Sequence, residues 1–405
     1  MTYIQKGTKE FLKARFALFI GGFVSFSILY TTQPLLPALA KEFHVSASLA
    51  SLSLSLSTGM LAVAMMFAAV IADSFGKKKI MVLSMMLTSC LGFLTAFSPN
   101  FITLLAFRAL LGIFVAGVPS IAMAYVAEEF HPRSIGEIMG LYVGGTSIGG
   151  MAGRMLTGFL TDLFSWRTAL AVTGLLAFLL SCLFYYILPS PRKTAKKMFN
   201  WKTAVRGYRA HLINKSLMAL ILLAFLLMGS FVTLYNYIGF QLVEPPYRLS
   251  QTVIGFIFVV YLFGTFSSVY MGRKADAYGN PLVLKISLGI MIAGGLFSLL
   301  PSLIGKIAGI SVFTFGFFAS HSIASAWVGE RSGRFKAQAS SLYLLFYYLG
   351  SSFIGAFGGY FWTSFKWPGV VSLITILLLI GFPLLLFAQK DEQRRQHGTD
   401  LTKGW

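Results

Sequence analysis

Three basic side chains sit where base is least expected. Arg108, Arg154 and His321 lie inside long apolar runs, whereas all 13 acids lie between such runs or near their ends. An arginine at the centre of a membrane-spanning helix costs about 3 kcal/mol on insertion scales, so it faces a cavity or a partner rather than lipid. Such a guanidinium can bind an anionic group or position a chain of water. For Arg154, near the outer end of its run, the alternative is to reach out to the interface. His321, between Ser320 and Ser322, carries the one unperturbed side chain that titrates near neutral pH. That suits a proton site; the alternative is a neutral ring hydrogen-bonded to a neighbouring helix. The two cysteines, Cys90 and Cys182, lie in apolar runs and read as core thiols. No nucleophile, metal-ligand cluster or phosphate-binding loop stands out, so neither an enzyme, a metal nor a cofactor is expected.

A charged turn is the second feature. Ala69 to Lys79 reads Ala-Val-Ile-Ala-Asp-Ser-Phe-Gly-Lys-Lys-Lys between two apolar runs. Asp73, Gly76, Lys77, Lys78 and Lys79 thus share a short connection. Gly272 to Gly279 repeats the pattern small-x-x-x-Asp-x-x-Gly, with Asp276 and Gly279 each 203 residues beyond Asp73 and Gly76. Five further identities share an offset of 201: Arg133, Tyr142, Gly149, Gly158 and Trp166 match Arg334, Tyr343, Gly350, Gly359 and Trp367. The chain therefore reads as two related halves.

The elements that position these residues must be membrane helices. The chain is 56% hydrophobic and 11% charged over 405 residues, more apolar surface than a soluble core hides. Twelve spans are predicted, at 16–39, 47–71, 80–97, 102–127, 135–160, 167–188, 216–242, 250–270, 282–299, 304–328, 337–362 and 368–388. The serine–leucine alternation from Ser51 to Ser57 resembles a strand, but a lone strand cannot sit in lipid, so it joins the second helix. Threaded this way, 26 of the 33 bases fall on one side. That asymmetry places both termini in the cytoplasm and makes the net charge of +20 a topology signature rather than a nucleic-acid footprint. The first apolar run is expected to be a retained span, not a cleaved signal. Its end, Tyr30-Thr-Thr-Gln-Pro-Leu-Leu-Pro37, places Gln33 toward the protein interior or in a helix-end turn. The fifth span, rich in glycine from Gly140 to Gly158, offers a flat face to another helix backbone. Residues 191–215 are basic, and Met198, Trp201, Val205, Tyr208 and Leu212 fall at helical spacing. They predict an amphipathic helix on the cytoplasmic surface, or a simple basic tether. Trp166, Trp362 and Trp367 fall at predicted outer helix ends, as interfacial anchors do.

Twelve spans with a charged turn after the second, copied after the eighth, resemble the major facilitator superfamily over essentially the whole chain. Ala69 replaces the usual leading glycine, which Gly272 keeps. The run Arg108-Ala-Leu-Leu-Gly112 is similar to the Arg-x-x-x-Gly element of the drug and sugar efflux branch of proton antiporters. Gly145-Thr-Ser-Ile-Gly-Gly-Met-Ala-Gly153 is similar to that branch's glycine-rich motif but lacks its Gly-Pro pair. The chain resembles bacterial inner-membrane proteins of arabinose or drug efflux. The resemblance implies an all-α integral membrane fold of two pseudo-symmetric six-helix bundles, 1–190 and 216–405, joined by the linker 191–215. It implies export of a drug-like compound or sugar by proton-coupled alternating access, in a lipid bilayer, by a monomer. Cavity walls are expected from Tyr30, Gln33, Arg108, Arg154, Asn236, Tyr237 and Tyr347, and proton coupling from Arg108 and His321. A conformational gate is expected from Asp73, Gly76, Lys77, Lys78, Gly272, Asp276 and Gly279, with Arg133 and Arg334. The rivals are an organic-anion uptake carrier, exchanger or facilitator, favoured by arginine without buried acid, and a non-transporting membrane sensor or structural protein.

Overall fold

The computed structural model describes residues 3–191 and 201–402, and there the chain is almost entirely helix. Among the described residues no β-strand forms; Ile4 and Phe130 make an isolated bridge. Ten helical stretches are long and apolar enough to cross a membrane. One of them, Lys336–Asp391, is 56 residues long, which at about 1.5 Å per residue is enough for two crossings. The glycine-rich fifth span adds the twelfth by its 32-residue length rather than its hydropathy. Ile102, Leu179, Phe353 and Phe357 are each more than half exposed, as side chains facing hydrocarbon are.

In the first half the helices are α1 (Lys9–Leu29), α2 (Leu36–Glu42), α3 (Ala47–Phe75) and α4 (Lys77–Thr95). They continue as α5 (Phe101–Val115), α6 (Gly117–Glu129), α7 (Pro132–Leu163) and α8 (Trp166–Ile187). The second half begins with α9 (Trp201–Ile213), α10 (Lys215–Val243) and α11 (Gln251–Phe256), followed by a 3-10 turn, Ile257–Val260, and α12 (Tyr261–Tyr278). It ends with α13 (Asn280–Phe297), α14 (Leu303–Arg331), a 3-10 turn at Gly333–Phe335, and α15 (Lys336–Thr402). Lys366, in the left-handed region at φ 53°, separates the two spans within α15. The fourth span is thus α5 and α6, and the eighth is α11, the turn and α12.

Contacts divide the chain into two compact units, one drawn from 1–199 with 238–259, the other from 200–237 with 260–405. In the first unit α7 lies along α1 at backbone distance. A Cβ on Gly145, Gly149 or Gly153 would run into the backbone at Phe19, Phe23 or Ser27. Glycine every fourth residue of α7 thus meets every fourth residue of α1, the close approach that small residues permit. In the second unit Gly350 of α15 does the same against Phe225 of α10.

Three readings change, and the linker gains detail. The first span is not continuous: α1 stops at Leu29 and α2 begins at Leu36, because Pro34 cannot donate to a helical ladder. The tryptophans are not interfacial anchors but buried. Trp166 packs with Leu35, Leu39, Leu104 and Leu170, and Trp362 is 4% exposed. Trp367 Nε1 donates to the Ser298 carbonyl at 3.0 Å. Cys90 is exposed rather than core. The linker helix covers Trp201–Ile213; Met198 lies outside the described residues, as do the side chains of Trp201 and Lys202. Within it Val205 and Leu212 are exposed, whereas Tyr208 donates to Ser341 at 3.2 Å and His211 lies 3.0 Å from the Phe335 carbonyl.

Candidate functional site

The break in span one is gripped by both buried arginines. Helix α1 ends with orphan carbonyls, as every helix does, and a cation is favoured at that negative end. Arg108 of α5 supplies it, donating from Nη1 to the Ile28 carbonyl at 3.2 Å and from Nη2 to the Leu29 carbonyl. Its Nε donates to the Ser53 carbonyl of α3 at 2.7 Å. The Arg-x-x-x-Gly spacing explains how it gets there. Gly112, four residues on and on the same face, lets α5 approach α3 so closely that a Cβ would strike Ser57. Ser57 Oγ in turn donates to the Arg108 carbonyl at 2.8 Å.

Arg154 does not reach for the interface. It is 1% exposed, with Nε donating to Gln33 Oε1 at 2.8 Å and Nη1 to the Gly150 carbonyl at 2.7 Å. Its guanidinium lies 4.1 Å from the Tyr30 ring centroid and 4.5 Å from that of Phe258. Tyr30, Gln33 and Arg154 are therefore one cluster, with Phe258 as a wall that sequence reasoning missed. Phe258 belongs to an apolar run, Ile257–Val260, with no local signal to single it out.

In the second unit His321 Nδ1 lies 2.9 Å from the Tyr343 hydroxyl, and Tyr347 stands 4.5 Å from the imidazole. Phe317 stacks on His321 at an interplanar angle of 6°, and Phe231 on Phe317 at 16°. No acid contacts His321 among the described residues. Asn236 is buried; Tyr237 is buried too, and its hydroxyl donates to the Gly355 carbonyl at 2.8 Å, within the packing of α10 on α15.

The two charged turns share a backbone. Gly76 and Gly279 end their helices at φ 99° and 86°, which explains glycine at both. Lys77 lies 3.5 Å from Asp73 and 2.5 Å from Glu128 of α6. At the copy, the residue after glycine is Asn280, which donates to Glu330 of α14 at 2.8 Å. Asp276 is exposed and makes no ion pair among the described residues, and Gly272 has open space around it. Lys78 donates to the Leu188 carbonyl. Arg133 is exposed at the start of α7, where its backbone N–H meets His131 Nδ1. Arg334 lies in a 3-10 turn and its side chain lies outside the described residues.

Sequence reasoning also passed over Asp162, one of the acids near helix ends. Past the predicted end of span five, its Oδ1 accepts the Gln251 N–H at 3.0 Å and its Oδ2 the Thr252 N–H at 2.7 Å. It caps the N-terminus of α11, which has no acid in its own first turn. Just below, Gly158 and Gly255 bring α7 and α11 into backbone contact.

These features define a multi-pass, all-helical membrane protein with two related sets of six spans. The model of the Major Facilitator Superfamily matches residues 18–353 and 246–404, and the chain belongs to that superfamily. It is 46% identical over 381 residues to an uncharacterized MFS-type transporter, YybF, of Bacillus subtilis, covering 94% of each chain. It is 43% identical to the inner membrane transport protein YnfM of Escherichia coli, covering 94% of this chain and 91% of that one. Among solved structures, a bacterial homolog of the human lysosomal transporter Spinster superposes with TM-score 0.74 at 15% identity, over 96% of this chain and 98% of that one. A D-xylose–proton symporter superposes with TM-score 0.73 at 14% identity, over 94% and 97%. These likenesses support the fold. The protein is a membrane transporter of the secondary type.

Proposed function

We propose that this transporter exports a small molecule, drug-like or sugar, by proton-coupled alternating access of two bundles, 1–190 and 216–405, with 191–215 as a cytoplasmic linker. It resides as a monomer in the cell inner membrane with both termini cytoplasmic, in keeping with the distribution of lysine and arginine. The observation that carries the reading is Arg108: the arginine of the antiporter-like element holds the broken end of α1 through the Ile28 and Leu29 carbonyls and ties it to α3 through the Ser53 carbonyl. It acts as a positioning residue for the turn that carries Tyr30 and Gln33. Tyr30, Gln33 and Arg154 contact substrate in the first unit, and Asn236, Tyr237 and Tyr347 are assigned the same role in the second. His321 carries the proton. Asp73, Gly76, Lys77 and Lys78, with Gly272, Asp276, Gly279, Arg133 and Arg334, form the gate on the basic side, where a charge cluster made in one orientation biases the equilibrium. The rival anion carrier needs guanidinium groups turned toward a ligand. Arg108 spends three donor nitrogens on backbone carbonyls, which favours export of a neutral or apolar compound.

The test is proton movement in proteoliposomes under an imposed pH gradient, challenged with cationic dyes, pentoses and organic anions. Proton release with one class, in the antiport direction, supports coupled export. Substrate movement without a proton signal overturns it.

A further inference from the structure

The first unit carries a cavity of about 680 Å³ beside the charged turn, lined by residues 72–79 and by parts of α4 and α8. Its polar end is basic. Asp73 is its acid, and Lys77 lies 3.5 Å from that carboxylate and 2.5 Å from Glu128, so the charge of Lys77 is compensated. Lys78 and Lys79 have no such partner: neither makes an ion pair among the described residues. Lys78 donates to the Leu188 carbonyl, which leaves its charge in place, and its ammonium stands 5.5 Å over the Tyr185 ring. Lys79 is exposed. The other end of the cavity is apolar, with Leu83 51% exposed and Met86 half-buried on α4. Leu83 lies one turn, about 6 Å along the axis, beyond Lys79 on the side of the hydrocarbon. A basic mouth a few ångströms from an open apolar wall, at the level where a helix enters the bilayer, matches a molecule with an anionic head and an alkyl tail.

We propose that this cavity binds an acidic phospholipid, with the phosphate between Lys78 and Lys79 and an acyl chain along Leu83 and Met86. A nucleotide or free phosphate would use the lysines but leave the apolar wall unfilled. A zwitterionic lipid would fill the wall, but its own ammonium would oppose the lysines. The inference is independent of the substrate, of the direction of transport and of proton coupling, because its readout is binding.

The test is native mass spectrometry of the full chain released from mixed phosphatidylglycerol–phosphatidylcholine nanodiscs. The expected result is a single retained phosphatidylglycerol, with phosphatidylcholine not retained at the same ratio. Lys79→Gln should lower the retained fraction by about fivefold, the worth of one lysine at a lipid surface, and Lys79→Arg should restore it. Leu83→Gln should lower it as well. Soluble glycerol phosphate at equal concentration should displace none of the lipid. Equal retention of both lipids by the wild-type protein, unchanged retention in Lys79→Gln, or displacement by glycerol phosphate would each overturn the proposal, the last in favour of a free phosphate ester.

Discussion

Asp162 supports a prediction that can be worked from distances. Its carboxylate accepts two backbone N–H groups of α11, at 3.0 and 2.7 Å, and faces the positive end of that helix. Loss of a helix-capping side chain to alanine costs about 0.5–2 kcal/mol. The helix-dipole part, about 0.3–1 kcal/mol, is reduced here because Asp162 is exposed and solvent screens it. Asp162→Asn keeps one acceptor oxygen and loses the charge, so it should weaken the link by about 1 kcal/mol, and Asp162→Ala by nearer 2 kcal/mol. The segment 238–259 comes from the second sequence repeat yet packs in the first unit, so if 1–190 and 216–405 alternate as proposed, this link has to part. One kcal/mol then shifts the ratio of linked to parted states by about fivefold. Spin labels at Leu163→Cys and Val253→Cys, both exposed positions, would report the separation of α7 from α11 by pulsed electron resonance. The long-distance population should grow from wild type to Asn to Ala. If the three distance distributions coincide, the cap does not restrain the transition and the reasoning fails.

Other outcomes follow from the same geometry. Gln33→Leu removes the acceptor of a buried Arg154 Nε and should lower thermal stability by about 1–3 kcal/mol; an unchanged melting temperature would show that the nest is already slack. Gly149→Val forces a side chain into Phe23 of α1 and should cost about 1–3 kcal/mol of overpacking, seen as lost folded yield in detergent, whereas Gly144→Val, with open space around it, should be tolerated. His321→Gln keeps a hydrogen-bonding partner for Tyr343 but cannot titrate, so transport should lose its pH dependence near neutrality; an unaltered profile would make the ring a packing element. Asp73→Asn should slow turnover more than it weakens substrate binding, checked by comparing kcat with KM; the reverse would give Asp73 a place in the substrate site.

Spans were legible because hydrocarbon admits only backbone whose hydrogen bonds are made internally, and that constraint writes itself into residue type over about 20 positions. The glycine face of α7 was legible for the same reason: a close helix approach excludes Cβ atoms. The partner of that face was not legible, because many helices could have met it. The tryptophans misled because a residue type common at interfaces is equally suited to burial when a carbonyl accepts its N–H, as Ser298 does for Trp367. Arg154 could be placed at its depth, but Gln33 and Phe258 come from stretches about a hundred residues away in the chain on either side. Local spacing holds no record of such a meeting.

The internal repeat shows where the halves still share chemistry and where they have parted. Ser98 and Ser298 each lie just past the end of a helix, and each carbonyl takes a cation. Arg167 donates to Ser98 at 3.3 Å and Lys306 to Ser298 at 2.9 Å, the two bases lying 4.2 and 5.6 Å from Trp166 and Trp367. Both sites place a positive charge just past a helix C-terminus, where the negative end of the helix favours a cation. The charged turns face no such shared demand beyond their glycines. At the first, an ion pair joins Lys77 to Glu128; at the second, a neutral amide joins Asn280 to Glu330 in the corresponding place. Removing the lysine charge leaves the second link weaker and less sensitive to salt, since a neutral–charged hydrogen bond lacks the attraction between two full charges. A device that opens and closes one side of a membrane gains from links of unequal strength, because unequal strength sets the order in which they break. If the charged turns gate as proposed, the difference between Lys77 and Asn280 gives the first turn, not its copy, the greater part of that role.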